Sequence, residues 1–481
     1  MRRFILVILV IMLLAALVSM SGGPQYVLAQ AATGPCDIYA AGGTPCVAAH
    51  STVRALFGAY SGRLYQVRRA SNGQTTDIGT LTAGGFANAA AQDSFCAGTT
   101  CTITIIYDQS SRGNHLTVAP AGGNGSADVP ANARSLKLSV GGHSVYGIFV
   151  SAGVGYRRNS TSGIATGTAP EGMYMVTAGT HVNSGCCFDY GNAETNNLDN
   201  GNGHMEAIYF GKLCWFSPCQ GSGPWVMADL ENGLFAGGNG VNSNNTGRSS
   251  TYVTAMLKGN STTYVIKDGN AQSGGLKTDY NGPLPTQGGY NPMHKEGAII
   301  LGIGGDNSKV AVGSFFEGAM TSGFPSDATE NAVQANIVAA GYTTTTYFRI
   351  TNRNSGKVLD VQQPNTNAGA NVGQFTANGQ PWQDWQFVDV GSGFFNIMSR
   401  NSGMCLDVNG ASTGEGANII QWTCNGGTNQ QWQWRASGSF FQLVARHSGK
   451  CADVAGSSMA DGANVEQRTC STANNFLWSR S

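Results

Sequence analysis

The stretch GPWVMADLENG, residues Gly223–Gly233, reads as a β-strand with two chemically different faces. Side chains alternate along a strand, so the apolar residues that begin at Val226 share the face expected to pack in a core. Trp225, Asp229 and Glu231 share the opposite face. Hydrolysis of a glycosidic bond uses paired carboxylates, and an indole ring can stack on a sugar, so this face is a candidate catalytic surface.

A partner carboxylate is expected at the end of the run GAIILGIGGD, Gly297–Asp306. Its continuous apolar residues predict a buried strand, and the closing glycines let the backbone approach a ligand closely. Asp306 would then lie at the mouth of that strand. The alternative is that Asp306 opens a turn and that Asp229 and Glu231 are solvated residues of a half-exposed strand.

The residues around these two runs predict an all-β fold, a jelly-roll-like β-sandwich. Short β-type runs such as Cys101–Tyr107 and Tyr252–Leu257 alternate with turns rich in glycine, asparagine and serine. One helix is predicted over Asp327–Ala340, with Ser326 as its cap. The formal net charge is +0, which removes the electrostatic footprint of a nucleic-acid binder, so no nucleic-acid partner is expected.

Residues 1–31 have the composition of a secretory signal peptide. Arg2 and Arg3 precede an apolar run, Phe4–Val18, and Ala29–Ala31 offers small residues for cleavage. The run is short for a membrane span, so we expect a secreted, extracellular protein with no membrane attachment after cleavage. An uncleaved N-terminal anchor is the alternative.

All 12 cysteines follow that segment, an even count that favours disulfides in an exported protein. Pairing between sequence neighbours is the simplest connectivity. It gives the pairs Cys36–Cys46, Cys96–Cys101, Cys186–Cys187, Cys214–Cys219, Cys405–Cys424 and Cys451–Cys470. Free or separately paired sulfurs are an alternative for the adjacent Cys186 and Cys187. The 7 histidines lack metal-ligand spacing, so no metal and no other cofactor is predicted.

After Tyr347 the sequence repeats three times with a period of about 46 residues, which indicates a threefold module. Each copy carries one aspartate in a short apolar strand, namely Asp360, Asp407 and Asp453. The first two copies end in Gln-x-Trp motifs at Gln383–Trp385 and Gln430–Trp432. The third copy is expected to end at Asn474–Phe476.

This pattern resembles the ricin-B-like β-trefoil lectins, including carbohydrate-binding module family 13. The resemblance implies that the three repeat aspartates accept hydrogen bonds from sugar hydroxyls and that Trp422 stacks on a sugar ring. Trp385 and Trp432 are expected in the core instead. The third copy departs from the family because Arg468 takes the place of Trp422 and Asn474–Phe476 replaces the Gln-x-Trp motif.

The part before the repeats resembles glycoside hydrolase family 54, the α-L-arabinofuranosidase B type, from about Gly34 to Tyr342. The matching motifs are GPCDIY at Gly34–Tyr39, TPCVAAHST at Thr44–Thr52, TITIIYDQS at Thr102–Ser110, CCFDYGNAET at Cys186–Thr195, GHMEAIY at Gly203–Tyr209 and EGAIILGIGGDNS at Glu296–Ser308. The resemblance implies a retaining, exo-acting enzyme that removes terminal α-L-arabinofuranosyl groups.

The same resemblance assigns roles to individual residues. Glu231 corresponds to the nucleophile of the family and Asp306 to its general acid/base. Six further residues correspond to substrate-contacting positions: Cys186, Cys187, Trp215, Asp229, Asn232 and Gly305. The adjacent cysteine pair resembles a disulfide that forms the floor of the sugar pocket.

The chain is therefore expected to have a signal peptide (1–31), a β-sandwich catalytic domain (34–341), a short Thr-rich linker (342–346) and a β-trefoil carbohydrate-binding domain (347–481). The expected partners are plant cell-wall polysaccharides, arabinoxylan and arabinan, and the chain is expected to be a monomer. Two alternatives stay open. One is a non-catalytic carbohydrate-binding protein, and the other is a hydrolase of the same mechanism that acts on β-xylosyl or galactofuranosyl groups.

Overall fold

A computed structural model describes residues 33–97, 99–199, 201–287, 289–344, 346–362, 365, 367–390, 392–402, 404–422 and 424–481. The predicted signal peptide, residues 1–31, lies outside the described residues. None of the helices in these ranges has the length and apolar character needed to cross a bilayer.

The N-terminal part of the described chain consists mainly of strands. They are β1 (Cys46–Ser51), β2 (Arg63–Arg69), β3 (Thr75–Gly79), β4 (Cys101–Ile106), β5 (Leu116–Val118), β6 (Lys137–Val140), β7 (His143–Tyr146), β8 (Ile148–Val150), β9 (Tyr156–Arg158), β10 (Glu171–Ala178), β11 (Asp189–Ala193), β12 (Glu206–Gly211), β13 (Trp225–Asp229), β14 (Leu234–Phe235), β15 (Tyr252–Gly259), β16 (Thr263–Asn270), β17 (Leu276–Pro283), β18 (Ala298–Leu301), β19 (Gly313–Phe315), β20 (Glu317–Ser322) and β21 (Tyr342–Thr344). The α-helices are α1 (Pro35–Ala41), α2 (Ala89–Phe95) and α3 (Asp327–Ala339).

Two large sheets form the layers of this part. Over the described residues one has the strand order β14-β13-β12-β11-β18-β9-β5-β4-β2-β3, and the other has the order β1-β20-β10-β15-β16-β17. Apolar side chains of both sheets belong to one core cluster, which includes Met173 and Val176 of β10 and Tyr190 and Ile208 of the larger sheet. The predicted all-β fold class is confirmed.

Four neighbouring strands of the larger sheet lead into the segments that carry the candidate catalytic residues. β13, β12, β11 and β18 are neighbours in that order, with Ala207 opposite Asp229 and Tyr190 opposite Leu301. Every residue of these four strands is buried. The half-exposed strand considered as an alternative for Asp229 is therefore wrong, because both faces of β13 are covered.

The predicted helix near the end of this part is confirmed as α3. Ser326 caps it, because its Oγ accepts a hydrogen bond from the Thr329 N–H at 3.1 Å. Such a cap satisfies one of the N–H groups that a helix leaves unpaired at its start.

The predicted linker 342–346 begins too early. Tyr342–Thr344 forms β21, which pairs with β6, and Tyr342 is 1% exposed. The tyrosine hydroxyl donates to Glu317 Oε2 at 2.8 Å. This buried hydrogen bond fixes β21 to the N-terminal part of the chain.

The C-terminal part is built from shorter strands. They are β22 (Ile350–Asn352), β23 (Val358–Val361), β24 (Val372–Phe375), β25 (Trp385–Asp389), β26 (Phe395–Ser399), β27 (Cys405–Val408), β28 (Ala417–Trp422), β29 (Gln431–Ser437), β30 (Phe440–Ala445), β31 (Cys451–Val454), β32 (Val465–Arg468) and β33 (Trp478–Arg480). Single 3₁₀ turns lie at Pro381–Gln383, Asn409–Ala411, Thr428–Gln430, Ala455–Ser457 and Asn474–Phe476.

Three tryptophans fill the core of the C-terminal part, one in each repeat. Trp385, Trp432 and Trp478 are 0% exposed, and their indole N–H groups donate to Leu359 O at 3.0 Å, Leu406 O at 2.9 Å and Ala452 O at 3.2 Å. The prediction that the third copy ends at Asn474–Phe476 is therefore wrong in register. Trp478 is the retained core tryptophan of that copy, because it makes the same hydrogen bond as the other two.

All six predicted disulfides are present. They join Cys36 to Cys46, Cys96 to Cys101, Cys186 to Cys187, Cys214 to Cys219, Cys405 to Cys424 and Cys451 to Cys470. The neighbour pairing expected from the sequence is confirmed, including that of the adjacent cysteines.

Candidate active site

The ends of β11 and β13 and the loop after β18 enclose a cavity of about 170 Å³, here called the carboxylate pocket. Its volume lies below the range of about 300–1,000 Å³ that holds drug-sized ligands, and it suits a single sugar unit. The predicted residues that line it are Cys186, Cys187, Trp215, Asp229, Glu231, Gly305 and Asp306. The structure thus brings together residues that lie far apart in the sequence.

A tight turn aims Glu231 into the pocket. β13 ends at Asp229, and the Leu230 N–H donates to Gly233 O at 3.2 Å. Within this turn Glu231 has a φ of 81°, a value that residues with side chains rarely adopt. The predicted strand alternation is wrong beyond Asp229, because this backbone turn orients Glu231.

Contacts of both its carboxylate and its backbone hold Glu231 in place. Its Oε2 accepts from the His204 backbone N–H at 2.8 Å, and His204 Nδ1 lies 3.3 Å from the same oxygen. The Glu231 N–H donates to Asp229 Oδ1 at 2.9 Å. The Glu231 side chain is 2% exposed, so these contacts act in a largely water-free site where hydrogen bonds to charged groups are strong.

Asp306 lies on a glycine-rich loop that follows β18. Its Oδ1 accepts from the Ser308 N–H at 2.8 Å, and the Gly304 N–H donates to Ser308 O at 2.9 Å. Gly305 must lack a side chain, because a Cβ there would lie 1.8 Å from Glu194 Oε2. The loop can therefore approach the pocket only with glycine at this position.

The site contains two further buried carboxyl groups, those of Asp189 and Glu194. The sequence analysis did not predict them as site residues, although both lie in the motif CCFDYGNAET. Asp189 begins β11, and Glu194 follows its end. Burial, with the neighbouring Asp229 as a second cause, holds the pKa of Asp189 well above its usual range. Burial also raises the pKa of Glu194 to about 9 and that of Asp229 to about 7. Neither Asp189 oxygen meets a donor among the described residues.

Arg157 is a buried cation that interacts with the carboxyl groups of Glu194 and Asp306. It is 2% exposed and donates to Gly305 O at 2.5 Å, to Asn159 Oδ1 at 2.5 Å and to the backbone oxygen of Glu194. Burial lowers its pKa to about 10, so the guanidinium keeps its charge at neutral pH. Arg157 links the loop that carries Asp306 to the end of β11.

The disulfide Cys186–Cys187 and Trp215 form two further walls. Both cysteine sulfurs and an Asp229 oxygen lie within 4.8 Å of one another. Sulfurs joined in a disulfide carry no thiolate charge and do not serve as zinc ligands, so this group is better suited to contact a sugar. Trp215 is 50% exposed, which leaves its ring available at the rim.

Asn232 does not line the pocket, unlike the other predicted contact residues. In the amide orientation that satisfies its neighbours, it donates to Asp199 Oδ1 at 3.3 Å and accepts from the Asn202 N–H at 3.1 Å. Its side chain therefore supports the loop at the pocket edge.

The C-terminal part presents a second kind of candidate site, built around the three repeat aspartates. Each carboxylate accepts a side-chain amide hydrogen bond, from Gln383 to Asp360 at 2.8 Å, from Gln430 to Asp407 at 2.8 Å and from Asn475 to Asp453 at 3.0 Å. Burial raises the pKa of all three carboxyls, to about 6 for Asp360 and Asp453.

The side chains beside these aspartates differ between the three copies. Trp422 is 42% exposed and Phe375 is 39% exposed, whereas Arg468 takes the equivalent position in the third copy. The second copy therefore offers an exposed indole for stacking, and the third offers a cation. Asp407 also accepts from Asn429 at 2.9 Å, a role like that of Asn475 in the third copy.

Comparison with known proteins gives two family matches. Residues 35–343 match the family described as alpha-L-arabinofuranosidase B, catalytic. Residues 335–422 and 428–481 match the family described as ricin-type beta-trefoil lectin domain-like.

Two fungal proteins are similar in sequence to about two thirds of this chain. An alpha-L-arabinofuranosidase of Hypocrea jecorina is 62% identical over 317 residues, which are 65% of this chain and 63% of that protein. An arabinofuranosidase/β-xylosidase of Trichoderma koningii is 62% identical over 317 residues, with the same shares. The chain thus matches less than two thirds of the length of these relatives.

A solved structure extends the likeness to most of the chain. It is an arabinofuranosidase in complex with arabinofuranosyl-α-1,2-xylobiose, 40% identical, with a TM-score of 0.64. The match covers 93% of this chain and 99% of that one.

Proposed function

Because the chain belongs to the alpha-L-arabinofuranosidase B catalytic family over residues 35–343, we propose that it is a retaining, exo-acting α-L-arabinofuranosidase with an appended sugar-binding domain. Its substrates would be arabinoxylan and arabinan, from which it would release terminal arabinofuranosyl groups. The observation that carries the proposal is that Glu231 and Asp306 line one small pocket together with Asp229 and the Cys186–Cys187 disulfide.

In the proposed reaction Glu231 attacks the anomeric carbon while Asp306 protonates the departing glycosidic oxygen. Asp306 then takes a proton from water, which attacks the glycosyl-enzyme and restores Glu231. The His204 N–H, 2.8 Å from Glu231 Oε2, would hold the nucleophile in line. Asp306 is half-buried at the opening, which suits a group that meets both leaving group and water.

The pocket walls would give the exo specificity. A cavity of about 170 Å³ accepts one pentose, so an internal residue of a polysaccharide chain would not enter. The buried Asp229 carboxylate and the backbone at Gly305 would receive hydroxyls of that sugar, and the Cys186–Cys187 sulfurs would contact its ring. The Trp215 ring at the rim would meet the next sugar unit.

The C-terminal domain would hold the enzyme on its polymer. Asp360, Asp407 and Asp453 would accept hydrogen bonds from sugar hydroxyls, and Trp422 would stack on a ring. Tethering of the catalytic domain to a bound polymer raises its local concentration at the substrate. We place the boundary between the two domains directly after β21.

We propose that this enzyme acts outside the cell. Six disulfides favour an oxidising compartment. The polysaccharides proposed as substrates are also extracellular. We expect the enzyme to act as a monomer.

The testing experiment compares wild type with Glu231→Gln for release of free arabinose from arabinoxylan. The variant keeps the shape of the side chain but removes the nucleophilic charge, so kcat should fall by roughly 10³-fold or more. Thermal unfolding and retention on insoluble arabinoxylan serve as controls for folding and binding. Arabinose release by the variant at close to the wild-type rate would refute the assignment of Glu231.

A second candidate function is β-xyloside hydrolysis, which the name of the Trichoderma koningii relative suggests. Monitoring xylose and galactose beside arabinose in the same assay separates these glycones. Polysaccharide binding without release of any sugar by wild type would favour a non-catalytic binding protein.

A further inference from the structure

We propose that Glu194 is a positioning residue that carries a proton at neutral pH and donates a hydrogen bond to the Glu231 carboxylate. The inference rests on the proposed function, because it assigns Glu194 to the support of the nucleophile in that same pocket. Sequence motifs alone did not single out this residue.

Glu194 and Glu231 each have one buried carboxyl oxygen without a hydrogen-bond donor among the described residues. Glu194 is 1% exposed and lies in hydrogen-bonding contact with Glu231, and both line the carboxylate pocket. Glu194 Oε2 and Glu231 Oε1 are buried, and neither meets an N–H or O–H donor of the described residues. A single proton between the two carboxyls satisfies both oxygens, whereas two charged carboxylates in contact would repel and stay unpaired.

We assign the proton to Glu194, because an N–H donor already faces the other carboxylate oxygen of Glu231. Glu231 Oε2 accepts from the His204 N–H at 2.8 Å, and the His204 ring lies 3.3 Å from the same oxygen. Burial raises the pKa of Glu194 to about 9, and the neighbouring Glu231 carboxylate adds to the rise. At neutral pH Glu194 is therefore a neutral donor, and Glu231 accepts its hydrogen bond.

The other charges that face Glu194 agree with this assignment. Asp229 raises the pKa of Glu194, and Asp189 and Asp306 lie in the same group of acids. Arg157 is the facing cation, but its N–H groups donate to the backbone oxygens of Glu194 and Gly305 and to Asn159. Arg157 thus fixes the backbone of Glu194 and leaves its carboxyl to contact Glu231.

The function of this hydrogen bond is to orient the nucleophile. Glu194 transfers no proton during turnover. As the pH rises through about 9, Glu194 loses its proton, the hydrogen bond disappears, and a second negative charge appears beside Glu231. Attack by Glu231 should then slow down.

The test uses the full chain and two variants of Glu194. Glutamine keeps the size and an N–H donor but cannot ionise, whereas alanine removes the donor. The probe is 2,4-dinitrophenyl α-L-arabinofuranoside, whose leaving group departs without a proton, so the protonation state of Asp306 does not limit the glycosylation step. Both kcat and KM are measured from pH 5 to pH 10, and thermal unfolding monitors the fold.

We expect Glu194→Gln to stay within about 3-fold of wild type at pH 7, and its kcat/KM should not show the wild-type fall near pH 9. Glu194→Ala should lose about 10- to 100-fold in kcat/KM, which reports attack by Glu231 on this probe; this is the range for a hydrogen bond to a charged group. The proposal is overturned if Glu194→Gln loses as much as Glu194→Ala or if its profile still falls near pH 9. Wild type without activity on the probe would overturn the proposed function and this inference with it.

Discussion

Gly305 offers a sharp test of how closely the pocket is packed. A Cβ built on Gly305 would lie 1.8 Å from Glu194 Oε2 and 2.6 Å from Glu194 Cδ. Ordinary contacts to a Cβ are about 3.4–4 Å, so in Gly305→Ala either the Glu194 carboxyl or the loop must move by more than 1 Å. Displacement of this size at reacting groups can cost about 10²-fold in rate.

We therefore expect Gly305→Ala to lower kcat/KM on 4-nitrophenyl α-L-arabinofuranoside by about 10²-fold. Gly123→Ala is the matched control, because Gly123 also lies beside Asp306 but a Cβ there meets its nearest neighbour at 3.5 Å. Thermal unfolding of both variants separates a local shift from loss of the fold. Activity of Gly305→Ala within about 3-fold of Gly123→Ala would refute the packing argument.

Two further predictions address stability and polymer binding. Lys295 is fully buried between Glu206 Oε2 at 2.8 Å and Glu171 Oε1 at 3.3 Å, so Lys295→Met should lower the free energy of unfolding by about 3–5 kcal/mol in denaturant titration. Arg63→Met, which breaks an exposed pair, should change it by less than about 1 kcal/mol, and equal losses in both variants would contradict the argument. Trp422→Ala should weaken binding to arabinoxylan by roughly 3- to 10-fold while hydrolysis of the small substrate stays unchanged, and unchanged binding would exclude the stacking role.

The sequence predicted the all-β fold class and the six disulfides because their signals are local. Strand periodicity and closely spaced cysteines need no knowledge of distant contacts. The apolar character of β13 also located Asp229 at a strand end, whereas Asp306 lies on the loop that follows β18, which ends at Leu301. The orientation of Glu231 was harder, since it depends on a turn with a positive φ that strand alternation does not encode.

The parts that could not be predicted depend on contacts between distant residues. Glu194 and Asp189 look like ordinary acids in sequence, and only their burial beside Glu231 and Asp229 gives them raised pKa values. Trp478 was missed because the third repeat carries Phe476 where the other copies carry glutamine, which hid the register. Tyr342 was predicted to lie in the linker, because its hydrogen bond to the distant Glu317 cannot be recognised in the sequence.

If Glu231 forms a glycosyl-enzyme, as proposed, the released arabinose keeps the anomeric configuration of the substrate. Proton NMR during the first minutes of hydrolysis of 4-nitrophenyl α-L-arabinofuranoside measures which anomer of free arabinose appears first. We expect the α-anomer to appear first with wild type, and no comparable release with Glu231→Gln. First appearance of the β-anomer would contradict this proposal, because inversion requires a single displacement by water without attack by Glu231.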